Sequence, residues 1–204
     1  MKAFSHISDV QFCDCVNSPY IKPRRMLYKE NGMSRCWDFI ESLDSVAVVL
    51  YHRDKDSLLF VKQFRPPLFA RNPNTHQAYT CELCAGLVDK AGKSLEQIAK
   101  EEVLEECGYK VDSLTYITTF ATAVGHSGAE QHLFYACIDE EQKISAGGGV
   151  DGEVIETLLI EVANLKSFIF DECIIKTPGL GFGVLWFLQH YPELKEKANI
   201  NKEA

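Results

Sequence analysis

Residues 94–108 are the stretch that most narrows what this chain can fold into. Ser94 and Gln97 form a capping box, in which the serine hydroxyl and the glutamine side chain each bond a free backbone N–H at a helix start. Gly108 is the residue type that commonly ends a helix. The pattern therefore predicts a helix from residue 94 to Cys107, and the rest of the domain must cover its apolar stripe.

Four glutamates at positions 101–106 conflict with that helix end. Acids near a helix C-terminus cost about 0.3–1 kcal/mol each, and like charges four residues apart repel. A solvated acidic face is the usual explanation of a charge run, but Glu102, Glu105 and Glu106 continue the apolar, packed stripe. A hard divalent cation such as Mg²⁺ takes carboxylate and phosphate oxygens as ligands. We therefore predict a metal site on these glutamates.

The composition restricts the class of protein. A net charge of −8 over 204 residues argues against a nucleic-acid partner, and the apolar runs are too short to span a membrane. The N-terminus lacks the apolar core of a signal peptide, so we expect a cytoplasmic protein with reduced cysteines. Cys81 and Cys84 form a CxxC pair without a second ligand pair, which favours buried packing thiols over structural zinc.

The remaining chain is dominated by strand patterns. Asn31-Gly32 predicts the turn of a hairpin over residues 25–40. A second hairpin is predicted over 45–51 and 57–64. A long loop over 66–78, further strands over 79–85, 113–121, 131–138 and 154–162, a helix over 179–191 and a frayed C-terminal tail complete the prediction. The class is α/β or α+β.

Residues 86–109 resemble the Nudix box, G-x5-E-x7-R-E-U-x-E-E-x-G-U, where U is apolar. Aligned from its end, the box matches at six positions: Glu102, Val103, Glu105, Glu106, Gly108 and Tyr109. The resemblance implies that Glu102 and Glu106 are metal ligands, that Glu105 supports them, and that the Ala85 carbonyl contributes. Gly86 lies one residue too early for the box. Lys93 stands where the family has glutamate and Glu101 where it has arginine, with Lys100 beside it as a possible substitute.

Residues 17–190 are similar to the branch of Nudix hydrolases that acts on ADP-ribose and nucleoside diphosphate sugars. This implies an α/β/α sandwich with a mixed sheet, an N-terminal β-region over residues 1–42, a Nudix domain over 43–195 and a tail over 196–204. It also implies a homodimer whose subunits share pockets. The implied reaction is Mg²⁺-dependent hydrolysis of UDP-glucose to UMP and glucose 1-phosphate, with Mn²⁺ as an alternative metal.

The resemblance also suggests residues that contact the substrate. Arg65, beside the long loop, is expected to clamp a phosphate, with a surface ion pair as the alternative. Trp37 is expected to stack on the base, and a core or dimer-interface role is nearly as well supported. Glu82 is a further acid for the metal or substrate, with a buried ion pair as its alternative. His126 and Ser127 lie in a loop expected to meet the sugar or phosphate.

The general base is expected on a late glycine-rich loop, "GGGVDGEVIE". Glu153 is the first choice, Asp151 the second, and Glu105 joins the catalytic set through its place in the box. The alternative is a flexible turn with solvated acids. For the whole chain the alternatives are ADP-ribose hydrolysis and a catalytically weakened nucleotide-binding module, the latter because of Lys93 and Glu101.

Overall fold

The computed structural model describes residues 7–73, 78–150 and 152–203, with side chains through residue 198 in the last helix. The strands are β1 Lys22–Glu30, β2 Met33–Glu41, β3 Ser45–His52, β4 Ser57–Phe64, β5 Tyr79–Glu82, β6 Cys84–Leu87, β7 Thr115–Ala121, β8 Glu130–Ile138 and β9 Ile155–Glu161. The helices are α1 Pro66–Arg71, α2 Leu95–Glu102, α3 Leu165–Phe170 and α4 Pro178–Glu203.

A mixed seven-stranded sheet, β3 to β9, forms the centre of the protein. β3 and β4 pair only near their shared turn, Leu50–His52 with Ser57–Leu59. Farther along, β4 pairs with β5 and β3 pairs with β6, so the chain changes strand partner at Leu83. The single strand predicted over 79–85 was therefore wrong, because the divergence of β3 from β4 splits it into two.

Two apolar layers cover the sheet, one on each face. Alternate residues of a strand point to opposite faces, and β3 follows this rule. Its Val46, Val48 and Leu50 join the cluster under α2, whereas Ala47, Val49 and Tyr51 join the cluster under α3 and α4. The fold is therefore an α/β/α sandwich, as expected. Cys84 and Cys81 are buried in these two different clusters, on opposite faces of the sheet.

Two helical segments differ from the sequence-based expectation. The loop predicted over 66–78 begins with α1, which tolerates its two prolines because they occupy the first helical turn. Helix α4 was expected to end at 191 before a frayed tail, but it continues through Pro192 to Glu203. Tyr191 and Lys195, on either side of that proline, both bind Asp56 at 2.6–2.9 Å, so tertiary contacts offset the lost helical hydrogen bond. Within the described part of the chain, no helix is long and apolar enough to cross a membrane.

Strands β1 and β2 form the predicted hairpin, which is a two-stranded sheet separate from the central one. Asn31 and Gly32 have φ of 52° and 82°, the left-handed values that a tight hairpin turn requires. Both faces of this hairpin are largely exposed. It is attached to the main domain through its second strand, where Ile40 N donates to His126 O at 2.7 Å.

Candidate active site

Helix α2 begins with the predicted capping box. The Gln97 backbone N–H donates to Ser94 Oγ at 3.2 Å, and the Ser94 N–H donates to Gln97 Oε1 at 2.8 Å. The helix continues as a single π-helical turn, Val103–Cys107, and ends at Gly108 with φ of 79°. Such turns are rare and frequently lie at functional sites. Here the π-helical turn carries two of the four glutamates.

Glu106 is the most buried of these acids, with 4% of its surface exposed. Its Oε2 accepts a hydrogen bond from the Ala85 backbone N–H at 3.0 Å, which fixes the carboxylate against strand β6. Burial raises the pKa of Glu106 to about 8, although hydrogen bonds from the Cys84 thiol and from Ala85 favour the charged form. A buried carboxylate of this kind is stabilised by a cation beside it.

Glu102 packs against the same strand one residue farther along. Its side chain lies so close to the Cα of Gly86 that a Cβ built on Gly86 would overlap its Cγ and Cδ atoms. Burial raises the pKa of Glu102, while the nearby Lys90 opposes that shift. A side chain at position 86 would therefore displace the Glu102 carboxylate from its place against the strand.

The donor set suits a hard divalent cation. Glu102, Glu105 and Glu106 supply carboxylate oxygens at buried or half-buried positions where the end of the helix lies beside β6, and the Ala85 N–H binds Glu106. Magnesium and manganese prefer oxygen donors, and either would relieve the repulsion among these carboxylates. Of the three predicted ligands on the helix, Glu106 is buried and Glu102 and Glu105 are half-buried.

The glycine-rich loop caps the C-terminal end of this helix. The Gly148 N–H donates to Glu106 O at 2.9 Å, and the Gly149 N–H donates to Glu105 O at 3.1 Å. These bonds satisfy carbonyls that a helix end leaves free. The loop therefore belongs to the same structural unit as the acids.

That attachment brings Glu153 into electrostatic contact with the site. The Glu153 charge helps to raise the pKa of Glu102 and Glu106 and the pKa of Arg65. Glu153 itself is exposed. The second predicted base, Asp151, lies outside the described residues.

Arg65 and Glu82, which were predicted as two separate site residues, form one bidentate ion pair. Arg65 Nε and Nη2 donate to the two Glu82 carboxylate oxygens, each at 2.6 Å, and Thr80 Oγ1 also donates to Glu82. The Glu82 side chain is 10% exposed and that of Arg65 is 43% exposed. Hydrogen bonding to Glu82 raises the pKa of Arg65. A guanidinium has five N–H groups, so this pairing leaves others directed elsewhere.

Trp37, His126 and Ser127 meet at the junction of the hairpin with the β7–β8 loop. Trp37 Nε1 donates to the Gly125 carbonyl at 3.0 Å. The His126 carbonyl accepts the hydrogen bond from the Ile40 N–H of strand β2. The Ser127 hydroxyl lies 2.8 Å from the hydroxyl of Ser42. The contacts thus form two groups, one at the acids and one at this junction.

The sequence did not identify the lysine that contacts the acids. Lys100, the expected substitute for the box arginine, donates to the Asp112 carbonyl at 2.6 Å and pairs with Glu96 at 2.8 Å. It therefore points away from Glu102 and Glu105. Instead Lys90, from the loop before α2, has its Nζ 3.5 Å from Glu102 Oε1 and 3.3 Å from Glu105 Oε1. No spacing rule links a loop residue to acids on the following helix.

The sequence analysis also did not predict a second set of potential metal ligands. Ligand atoms of Asp44, Glu130 and His132 lie within 4.8 Å of one another. Asp44 Oδ1 accepts from the Glu130 N–H, and His132 Nδ1 bonds Thr119 Oγ1 at 2.7 Å. The two-residue spacing of Glu130 and His132 on β8 signals a shared face, whereas Asp44 is brought in only by strand pairing.

Comparison with known proteins agrees with this geometry. A family model described as the NUDIX domain matches residues 42–172. The chain is 36% identical over 200 residues to the uridine diphosphate glucose pyrophosphatase NUDT14 of Bos taurus, covering 85% of this chain and 90% of the relative. It is 32% identical to the Mus musculus protein of the same name, with the same coverage. It is also 34% identical to a GDP-mannose pyrophosphatase of Cronobacter sakazakii, over 56% of this chain and 58% of the relative.

Proposed function

Because the chain belongs to the NUDIX domain family, we propose that it hydrolyses the diphosphate bond of a nucleoside diphosphate sugar, and that UDP-glucose is its substrate. The products are UMP and glucose 1-phosphate. The observation that carries the proposal is the packing of two carboxylates against β6: Glu106 accepts a hydrogen bond from the Ala85 N–H, and Glu102 lies against Gly86. The substrate rests on similarity to UDP-glucose pyrophosphatases across most of the chain.

The acids have different roles in this reaction. Glu102, Glu106 and the Ala85 carbonyl hold a divalent cation, Mg²⁺ or Mn²⁺, and Glu105 supports them. When bound, the cation neutralises the diphosphate and makes a bound water easier to deprotonate. Glu153 accepts the proton of the attacking water as that water adds to phosphorus and the bridging P–O bond breaks. Asp151 is the second choice for this base.

The proposal assigns the orientation of the substrate to two groups of residues, one near the acids and one at the hairpin junction. Arg65 donates to a phosphate oxygen while Glu82 fixes its guanidinium plane. Trp37 stacks on the base, and its exposed fraction of 52% leaves the ring accessible. His126 and Ser127 are assigned to contacts with the sugar or a phosphate.

The hairpin β1–β2 supports a homodimer. An isolated two-stranded sheet is marginally stable in water, and this one exposes large apolar side chains, including Met26, Leu27 and Met33. Burying them against a second copy of the chain would stabilise the hairpin and complete the pocket beside Trp37. The dimer is part of the proposal.

A cytoplasmic location is proposed from the cysteines. All eight are free thiols, and Cys81, Cys84 and Cys107 are buried in the apolar core. Reduced cysteines are typical of a reducing compartment.

A panel of nucleotide sugars assayed by product identity tests the function. With Mg²⁺, we expect UMP and glucose 1-phosphate from UDP-glucose at a higher kcat/KM than AMP from ADP-ribose. Faster AMP formation would make the protein an ADP-ribose hydrolase. Nucleotide binding without phosphomonoester release would make it a binding module. The Glu106→Gln protein, purified in the same way, controls for contaminating hydrolases.

A further inference from the structure

Lys90 is the positive charge that contacts the acids of α2 most extensively. Its Nζ lies 3.1 Å from Glu101 Oε2, 3.5 Å from Glu102 Oε1 and 3.3 Å from Glu105 Oε1. The side chain is 28% exposed, so these contacts form in a partly dehydrated place. One ammonium thus links two of the carboxylates assigned to the metal, and its third partner is an acid that is not a ligand.

Glu101 is in turn held by a second lysine from the same loop. Lys93 Nζ donates to both carboxylate oxygens of Glu101, at 2.6 and 2.8 Å. Lys93 and Glu101 stand at the two charged box positions from which the chain departs, where the pattern has glutamate at the first and arginine at the second. The structure shows that the departures form one ion pair of reversed polarity.

From this arrangement we infer that Lys90 is a positioning residue for the metal ligands Glu102 and Glu105, and that the Lys93–Glu101 pair holds Lys90 in place. The inference deepens the proposed function and rests on it. A box arginine on the helix would place the positive charge beside the acids directly. With Glu101 there instead, the positive charge comes from the loop, and Glu101 becomes its anchor.

The sign of the effect on metal affinity distinguishes positioning from simple electrostatics. Removing a positive charge near a cation site would by itself tighten cation binding. Removing a residue that fixes the ligands weakens it, typically by about 10–100-fold for a partner that orients metal ligands. A loss of affinity in a variant lacking Lys90 therefore identifies the positioning role.

The test is Mn²⁺ binding to the substrate-free protein. Electron paramagnetic resonance measures the concentration of the free ion and so gives the amount bound. We expect Lys90→Met to weaken Mn²⁺ binding at least about tenfold. We expect Lys90→Arg to recover most of the affinity. Lys100→Met is the matched control, because it removes the same charge from a lysine on the helix that points away, and it should bind Mn²⁺ like the wild type.

Each outcome decides between the claims. If Lys90→Met binds Mn²⁺ as tightly as the wild type or more tightly, the positioning role is overturned and the proposed metal site stands. If the wild-type protein binds no Mn²⁺, the proposed site fails and the inference fails with it. Should Lys90→Met not fold, Lys93→Met replaces it: this variant keeps Lys90 and releases Glu101, the residue that holds it. Because the change removes a positive charge, severalfold weaker Mn²⁺ binding supports the inference, and unchanged or tighter binding overturns it.

Discussion

At the scale of single residues, burial separates Glu106 from the other acids of the helix. Its carboxylate is almost inaccessible, accepts a backbone hydrogen bond from strand β6, and has a pKa raised by burial to about 8. A carboxylate with no partner of opposite charge would be unfavourable at such a buried position. The position suits a ligand whose charge is balanced by a bound cation.

Replacing Glu106 by glutamine tests that role. The change keeps the shape and an oxygen able to accept from Ala85, but it removes the charge that a cation requires. We expect UDP-glucose hydrolysis to fall at least about a hundredfold with the fold intact, as judged by circular dichroism and thermal unfolding. Glu96→Gln, on the exposed side of the same helix, is the control. Glu106→Gln activity within a few-fold of wild type would remove Glu106 from the site.

The base on the glycine-rich loop is tested in the same way. A general base acts mainly in the transition state, so Glu153→Gln should lower kcat with little change in KM. Steady-state kinetics over a range of UDP-glucose concentrations measure both constants. Asp151→Asn is the comparison, and a larger fall in kcat there than in Glu153→Gln would transfer the role to Asp151.

At the scale of elements, the site depends on how closely β6 approaches α2. Gly86 on the strand meets the Glu102 side chain without room for a Cβ. Ala85 beside it donates its N–H to Glu106. The strand thus contacts both carboxylates, and a side chain at position 86 would displace that of Glu102.

Gly86→Ala should therefore impair metal binding more than folding. The added methyl must displace the Glu102 carboxylate, and we expect Mn²⁺ affinity to fall about tenfold or more. The overpacking should cost about 1–3 kcal/mol of stability, measured by urea unfolding. Gly181→Ala is the control, because a Cβ there meets nothing within 4 Å. Unchanged affinity in Gly86→Ala would show that Glu102 can move without loss.

At the scale of the whole molecule, the exposed hairpin and the acids lie in separate structural units. The Trp37 indole bonds to a loop of its own chain while 52% of the residue stays exposed. A shared pocket in a homodimer would cover this ring and bring it to the substrate. Pockets built within single chains would leave the hairpin to pack elsewhere.

Trp37→Ala should raise KM for UDP-glucose severalfold or more while kcat changes less, because stacking contributes to binding rather than to bond cleavage. Co-expression with Glu106→Gln chains then tests the sharing. A mixed dimer places both defects in one pocket and leaves the other intact, so we expect activity at low substrate to exceed that of either homodimer. Confirmed mixed dimers without regained activity would indicate pockets within single chains.

The local parts of this protein could be predicted from its sequence. The capped helix, its end at Gly108, the Asn31-Gly32 turn and the acids on the packed face all depend on neighbours within a few residues. Such short-range patterns predict structure because the helix and strand periods fix which side chains share a face. The family-specific roles of Trp37, Arg65 and Glu153 came from resemblance and stay predictions.

Only the tertiary structure decided the features that join distant segments. The division of 79–85 into β5 and β6 follows from the divergence of β3 and β4, and helix α4 continues through Pro192 because Asp56 binds it on both sides. Likewise Glu102 and Glu105 are contacted by Lys90 and not by Lys100, which is on their own helix. Lys90 reaches them because the loop before α2 folds back over the helix. These features depend on contacts between separate segments of the chain, and no local sequence pattern encodes those contacts.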